Sequence, residues 1–202
     1  MPSVRSLLHL GGAPRKMPQA KQEEGVSAGQ DIYNELIAPV EQRMMRTVTR
    51  ITRDPDDAAD AFQNAVTFIW KNLRKVHRHP NPHAYILSVC ASAAYDVLRQ
   101  KLRRRHAPIP DSGRLAASAG SGPERAVMDA ERERILLAAI ASLPRNQAQA
   151  VLLRIVEEES FENIAEALNC GTATARSHVS KGKARLRDIL SQHRLLSEGE
   201  PA

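Results

Sequence analysis

Aromatic residues are scarce in this 202-residue chain: three Phe, three Tyr and one Trp, 3% of the whole. Apolar residues still reach 42%, so its cores must be built mostly of Leu, Ile, Val and Ala. Cysteine is nearly absent. Cys90 and Cys170 stand alone, which excludes a disulfide framework and a Cys-x-x-Cys metal site, and reads as small apolar residues in a reducing compartment. No run approaches the 18 apolar residues of a membrane span, and "VRSLLHL" (4–10) is too short for a signal peptide's apolar segment. The expectation is a soluble, cytoplasmic protein with no membrane contact of its own. β-branched alternation is also missing, while helix formers dominate, so an all-α fold is predicted. With no strand pattern, Gly-rich phosphate loop or clustered carboxylate motif in the first hundred residues, no catalytic site and no cofactor are expected.

What is present is charge, unevenly spread. The chain carries 29 Lys/Arg against 23 Asp/Glu, a formal net charge of +6. Residues 31–106 hold 13 cations against 8 acids and residues 171–190 hold 5 against 1, whereas residues 107–170 hold 6 against 10. Two basic regions separated by an acidic one point to two contacts with a polyanion, the alternative for each being a solvated helix face.

Residues 1–29 lack periodicity and read as a disordered tail, within which Met17 is a second candidate start. Asp31 looks like a helix cap, followed by Ile32, Leu36, Val40, Met44, Val48 and Ile51 at helical spacing, with Pro39 breaking or kinking the run. "RDPDDA" (53–58) is a turn into a second helix whose stripe is Ala58, Phe62, Val66, Ile69 and Leu73. Asp60, Gln63, Asn64, Thr67 and Lys71 fall on its other side. A third helix opens at Asn81–Pro82, turns Ile86, Val89, Cys90, Ala93 and Val97 inward, and ends in the cationic "RQKLRRR" (99–105). The Pro/Gly-rich stretch 107–123 is a flexible linker, so the chain divides into a first domain (30–106), a second (124–192) and a short tail (193–202). A linker of that length predicts domains that are tethered rather than packed.

The second domain carries "SFENIAEALNCGTATARSHVSKGKARLR" (160–187). Ile164, Ala165 and Leu168 mark the inward face of one helix, and Ala175, Val179 and Leu186 that of the next. Between them, Asn169 or Gly171 can take the positive φ of a tight turn, and small Ala165 permits a close crossing. This is helix-turn-helix spacing, in which the second helix enters a major groove with Thr174, Arg176, Ser177 and Lys181 outward. An ordinary helical hairpin with a basic face is the alternative at this point.

The wider pattern favours the first reading. From "LP" (143–144) through "LLR" (152–154) and "EEESFENIAEAL" (157–168) to "ATARSHVSKGKARLR" (173–187), the chain resembles the fourth conserved region of bacterial sigma factors. "DPDDAADAFQNAVTFIW" (54–70) and "HAYILSVCASAAYDVLRQKLRRR" (83–105) resemble the second region of that family, and the two-region layout resembles its extracytoplasmic-function group. The resemblance implies a region 2-like helical bundle joined to a region 4-like helix-turn-helix, with core RNA polymerase, promoter DNA and in many cases an anti-sigma factor as partners. It implies polymerase docking by Asp60, Gln63, Asn64 and Thr67. It also implies capture of a flipped minus-ten base by the loop "LRKVHRHPNPH" (73–83), including His77, with Ser92 facing it. Arg99, Arg103 and Arg104, with the rest of the basic run, would hold phosphates, and Thr174, Arg176, Ser177, Lys181 and Lys183 would contact the minus-thirty-five element. The chain departs from the family pattern at Tyr85 (usually Trp), at Cys90-Ala91-Ser92 (usually Ala-Arg-Asn), and at Val76, where an aromatic is common. Ala59 and Asn64 replace two glutamates, and Ala148 and His178 replace two arginines.

Three rival readings compete with it. A metal-dependent nuclease could draw on Asp54, Asp56, Asp57 and Asp60, yet acids at a helix start serve the helix dipole. His77, His79 and His83 could ligate a metal, but two prolines make their loop irregular and no Cys or acid is adjacent, so no metal is expected. A helix-turn-helix regulator acting without polymerase would need a dimer element, and no heptad is visible.

Overall fold

Pro39 ends the first apolar run. In the computed structural model, which describes residues 33–106 and 123–193, Tyr33–Ile37 form a single π-helical turn and the α-helix α1 (Glu41–Thr52) begins after it. The expected cap Asp31, the linker 107–122 and both tails lie outside the described residues. Arg53 stops α1 in the left-handed region at φ 56°, its amide donating to the Thr49 carbonyl. Asp54 then starts α2 (Pro55–Lys71): its carboxylate accepts from the amides of Asp56 and Asp57, and Pro55 takes a position whose N–H has no helical partner anyway. The stripe Ala58, Phe62, Val66 and Ile69 is buried, and Leu73, opening the short α3 (Leu73–His77), is half-buried. Asn81 caps α4 (Pro82–His106), its side-chain oxygen accepting from the Ala84 amide at 3.1 Å.

The second half consists of α5 (Pro123–Ser142), α6 (Arg145–Ile155), α7 (Phe161–Ala167) and α8 (Thr172–Gln192). Ser160 caps α7 by accepting from the Asn163 amide. Asn169 supplies the left-handed residue of the turn at φ 51°, while Gly171 sits in extended geometry as the cap of α8. Ile164, Ala165, Ala175, Val179 and Leu186 are buried and Leu168 half-buried, as the spacing predicted. Gly182 sets how closely α8 crosses α6. A Cβ there would lie 2.5 Å from Val151 Cγ2 and 3.2 Å from the Gln147 carbonyl oxygen.

The two halves pack against each other, which corrects the expectation of tethered domains. α4 is the reason. Its predicted inward face is in place, with Ile86, Val89 and Cys90 buried and Ala93 and Val97 half-buried. Leu87, Ala91, Ala94, Tyr95 and Leu98 are buried as well, so α4 is apolar on more than one side and needs cover on both. α1 and α2 pack on it from the first half, and α5, α6 and α7 from the second. The Tyr95 hydroxyl donates to the Leu143 carbonyl at 2.6 Å in this interface, so the ring is buried without an unpaired hydroxyl. On α1, Arg43 reaches Glu157 at 3.1 Å and Glu159 at 2.9 Å, and the Thr47 hydroxyl donates to Glu157. Burial disfavours the Arg43 charge, but the hydrogen bond it donates to Glu159 and the charge of Glu157 outweigh it and hold its pKa above the ordinary value. Among the described residues, no helix is long and apolar enough to cross a membrane.

Candidate nucleic-acid interface

α7, the turn at Asn169 and α8 form the helix-turn-helix. Thr174, Arg176, Lys181 and Lys183 are exposed on α8, and Ser177 is half-buried beside them. The Arg176 guanidinium lies 5.2 Å from the centre of the Phe161 ring and 3.9 Å from Glu162, so α7 orients it while leaving its side chain 63% exposed. Gly182 and Leu186 are buried, which turns Lys181 and Lys183 outward from the same turns of helix. Arg185 is drawn back to Gln147, its Nη1 donating at 3.1 Å.

A second basic surface lies at the end of α4. Arg99, Arg103 and Arg104 are exposed. Lys101, counted with them on sequence grounds, is not free: its ammonium reaches Asp57 at 2.5 Å and Asp54 at 3.4 Å. Burial alone would lower its pKa, but the hydrogen bond to Asp57 and the charges of both acids raise it above that of an ordinary lysine. Sequence reasoning missed this because the two acids lie more than forty residues upstream.

The loop before α4 is arranged differently from its sequence outline. Val76 is fully buried, so it anchors α3. His77 is exposed and lies 3.5 Å from Glu35. His79 stacks on Tyr85 with ring centres 4.7 Å apart, and its Nε2 lies 3.1 Å from the Glu166 carbonyl of the second half. His77 and His79 thus turn to different partners, and His83 is exposed. Among the described residues no group of three or more His, Cys, Asp and Glu is placed to hold a metal ion. Ser92 is half-buried, and its hydroxyl accepts from Arg145 Nη2 at 2.6 Å. Cys90 beneath it is fully buried; burial, with the Glu157 charge nearby, pushes its thiol pKa well up, so it packs rather than reacts.

On α2, Asp60, Gln63, Asn64 and Thr67 are all exposed on one face, at the i, i+3, i+4, i+7 spacing that brings helical residues together. Phe68 belongs to the same surface, 42% exposed, and was not singled out from the sequence. Its signal was there: an aromatic off the Ala58-Phe62-Val66-Ile69 stripe and one turn after Asn64.

The family profile described as Sigma-70 region 2 matches residues 36–104, and that described as Sigma-70, region 4 matches residues 133–186. The chain belongs to the sigma-70 family. With region 2 and region 4 in that order and neither profile covering residues 105–132, this sigma factor has the layout of the extracytoplasmic-function group. It is 25% identical over 169 residues to the ECF RNA polymerase sigma factor SigE of Mycolicibacterium smegmatis, covering 84% of this chain and 65% of that one. It is 24% identical over 168 residues to the probable RNA polymerase sigma factor RfaY of Xanthomonas campestris, covering 81% and 41%. With the ECF RNA polymerase sigma-E factor of Haemophilus influenzae the identity is 23%, covering 82% and 90%. The sigma factor thus spans under two thirds of the first two relatives and nearly all of the third. A solved structure of the sigma factor RpoE in complex with the anti-sigma factor NepR, from Bartonella quintana, covers 80% of this chain and 98% of that one, at 20% identity and a TM-score of 0.49.

Proposed function

We propose that this sigma factor binds core RNA polymerase in the cytoplasm, recognises minus-thirty-five and minus-ten promoter elements, opens the latter and so initiates transcription. The observation that carries the reading is the presence of both sigma regions in one chain, each bearing a solvent-facing polar or basic surface. In it, Asp60, Gln63, Asn64 and Thr67 dock on polymerase, and Thr174, Arg176, Ser177, Lys181 and Lys183 read or grip the upstream element. Ser92 and His77 contact a base extruded from the minus-ten element; unstacking it costs a few kcal/mol, which stacking and hydrogen bonding must offset. Arg99, Arg103 and Arg104 hold phosphates of the opened duplex. The chain itself carries out no bond chemistry and uses no cofactor. An anti-sigma factor is a further partner of this reading. The two domains divide at 107–123, with region 2 function before it and region 4 function after.

Run-off transcription with core polymerase, on the DNA upstream of this chain's own gene, tests the assignment. Asp60→Arg combined with Gln63→Ala should abolish both the transcript and capture of core in a pull-down, with an unchanged circular dichroism spectrum because both side chains are exposed. Full retention of core by that variant would make the α2 face a merely solvated one. Specific promoter binding by the protein alone would favour a helix-turn-helix regulator instead.

A further inference from the structure

Phe161, the first residue of α7, has two guanidiniums over its ring. That of Arg176, from α8, lies 5.2 Å from the ring centre, and that of Arg154, from α6, lies 5.0 Å from it. The ring is half-buried against the core, and Ser160, accepting from the Asn163 amide, fixes the backbone that bears it. Arg154 is fixed too: it is half-buried, and its Nη1 donates to the Glu159 carbonyl at 2.7 Å. Arg176 is held differently. Glu162 stands beside it at 3.9 Å, beyond hydrogen-bonding reach, and both side chains are largely exposed.

Two constraints therefore act on Arg176, and they differ in kind. The ion pair is long and exposed, the sort that hydration and side-chain entropy nearly cancel. The ring contact persists better, because a guanidinium is weakly hydrated and sits well on an aromatic face. It also leaves the cation equipped. A phenyl ring offers no oxygen acceptor, so the N–H donors of Arg176 stay available for a base edge.

From this arrangement we infer that Phe161 is a positioning residue for promoter reading, a platform that holds the Arg176 guanidinium ready for a guanine, with Arg154 bracing the ring. The inference rests on the proposed contact of Arg176 with the upstream element and adds the residue that makes this contact selective. Guanine is the matching base because its O6 and N7 accept two parallel donors from one guanidinium. An arginine free to swing would reach phosphates as readily as a base edge, and phosphates carry no sequence. Ordering the side chain before binding also leaves less conformational freedom to lose in the complex. Arg154, Phe161 and Arg176 all belong to the second half, so the platform does not depend on the packing of the two halves.

The test uses the full chain bound to core polymerase. Its affinity is measured for the DNA upstream of this chain's own gene, and for variants with each upstream-element base pair replaced in turn. Phe161→Leu keeps an apolar side chain against the core but removes the aromatic face, whereas Phe161→Tyr keeps that face. Phe161→Leu should cut discrimination about three- to fivefold at one G·C pair, the pair at which Arg176→Ala relaxes preference. Added to Arg176→Ala it should change nothing further there, and Phe161→Tyr should match the wild type. In the free protein, the Nε–H resonance of Arg176, shifted by the ring current of Phe161, should move toward that of an unstacked arginine in Phe161→Leu. Equal weakening on every DNA variant, the same loss in the Arg176→Ala background, or an unmoved resonance overturns the platform. Failure of the base-reading assignment shows separately: Arg176→Ala itself leaves discrimination unchanged at every position, and the platform falls with it.

Discussion

A single methyl group at position 182 would collide with Val151 Cγ2 at 2.5 Å and crowd the Gln147 carbonyl oxygen at 3.2 Å. The carbonyl is fixed by its helix, so Gly182→Ala should separate α8 from α6 and destabilise the protein by about 1–3 kcal/mol. A lowered denaturant midpoint with an unchanged α-helical spectrum would show it. Asp54 offers a test in pH. The Asp57 amide chiefly, then the Lys101 charge and the Asp56 amide, hold its carboxyl below the ordinary value, against the opposing effect of partial burial. A pKa depressed by folding contributes stability that is fully present above the unfolded value, near pH 4, and is lost as pH falls through the folded value. Asp54→Ala should therefore cost about 1 kcal/mol at neutral pH. Its thermal midpoint should converge on that of the wild type as pH drops below about 4. A constant difference across that range would mean that the side chain caps α2 without being ionised.

At the scale of elements, α8 acts as a support that presents side chains. Arg176→Ala with Lys181→Ala leaves its buried face untouched and should weaken binding of the polymerase complex to upstream-element DNA. A base contact by Arg176 would cost about 1–3 kcal/mol and relax preference at one position, whereas a phosphate contact would weaken all sequences alike. Competition binding with single-position DNA variants separates these outcomes, and unchanged promoter affinity would remove α8 from the interface. The longer elements of the first half were readable because their starts carry local signals: Pro39 delays α1, the turn at Asp54-Pro55 opens α2 and Asn81-Pro82 opens α4. The Ser160 cap of α7 and the short α3, which falls within the stretch read as a loop, emerged only in the structure. What was not readable was the full burial of α4: Ala91 and Ala94 are small enough to suit either solvent or a neighbour, so they add nothing to a periodic stripe.

For the whole molecule, the decisive quantity is how many cations remain free to meet DNA. Lys101 is held by Asp54 and Asp57, so among the described side chains the end of α4 offers Arg99, Arg103 and Arg104, while the side chain of Arg105 lies outside them. Replacing those three by Gln should lower the slope of log affinity against log salt by roughly two to three, through lost counterion release. Lys101→Gln alone should leave the slope nearly unchanged. Filter binding of the polymerase complex at several salt concentrations measures both. In the proposed function these arginines flank the strand being opened, so permanganate reactivity of the minus-ten thymines should fall more than closed-complex binding does. Melting that survives while closed binding collapses would make the run a docking patch.

The sequence by itself determined the main helices, the proline-marked starts of α2 and α4, the order of the two sigma regions and the outward faces of α2 and α8. All of these follow from patterns that repeat within a few residues: the 3.6-residue period, proline's missing N–H, and side chains that cap nearby amides. Only the tertiary structure decided that Lys101 is committed to acids, that His79 leans on the second half, and that Ser92 is covered by Arg145. The partners in these pairs lie 44, 87 and 53 residues apart. A charged or hydroxyl side chain can satisfy itself with water or with many different groups, so its residue type does not name its partner; chain closure around α4 chose one.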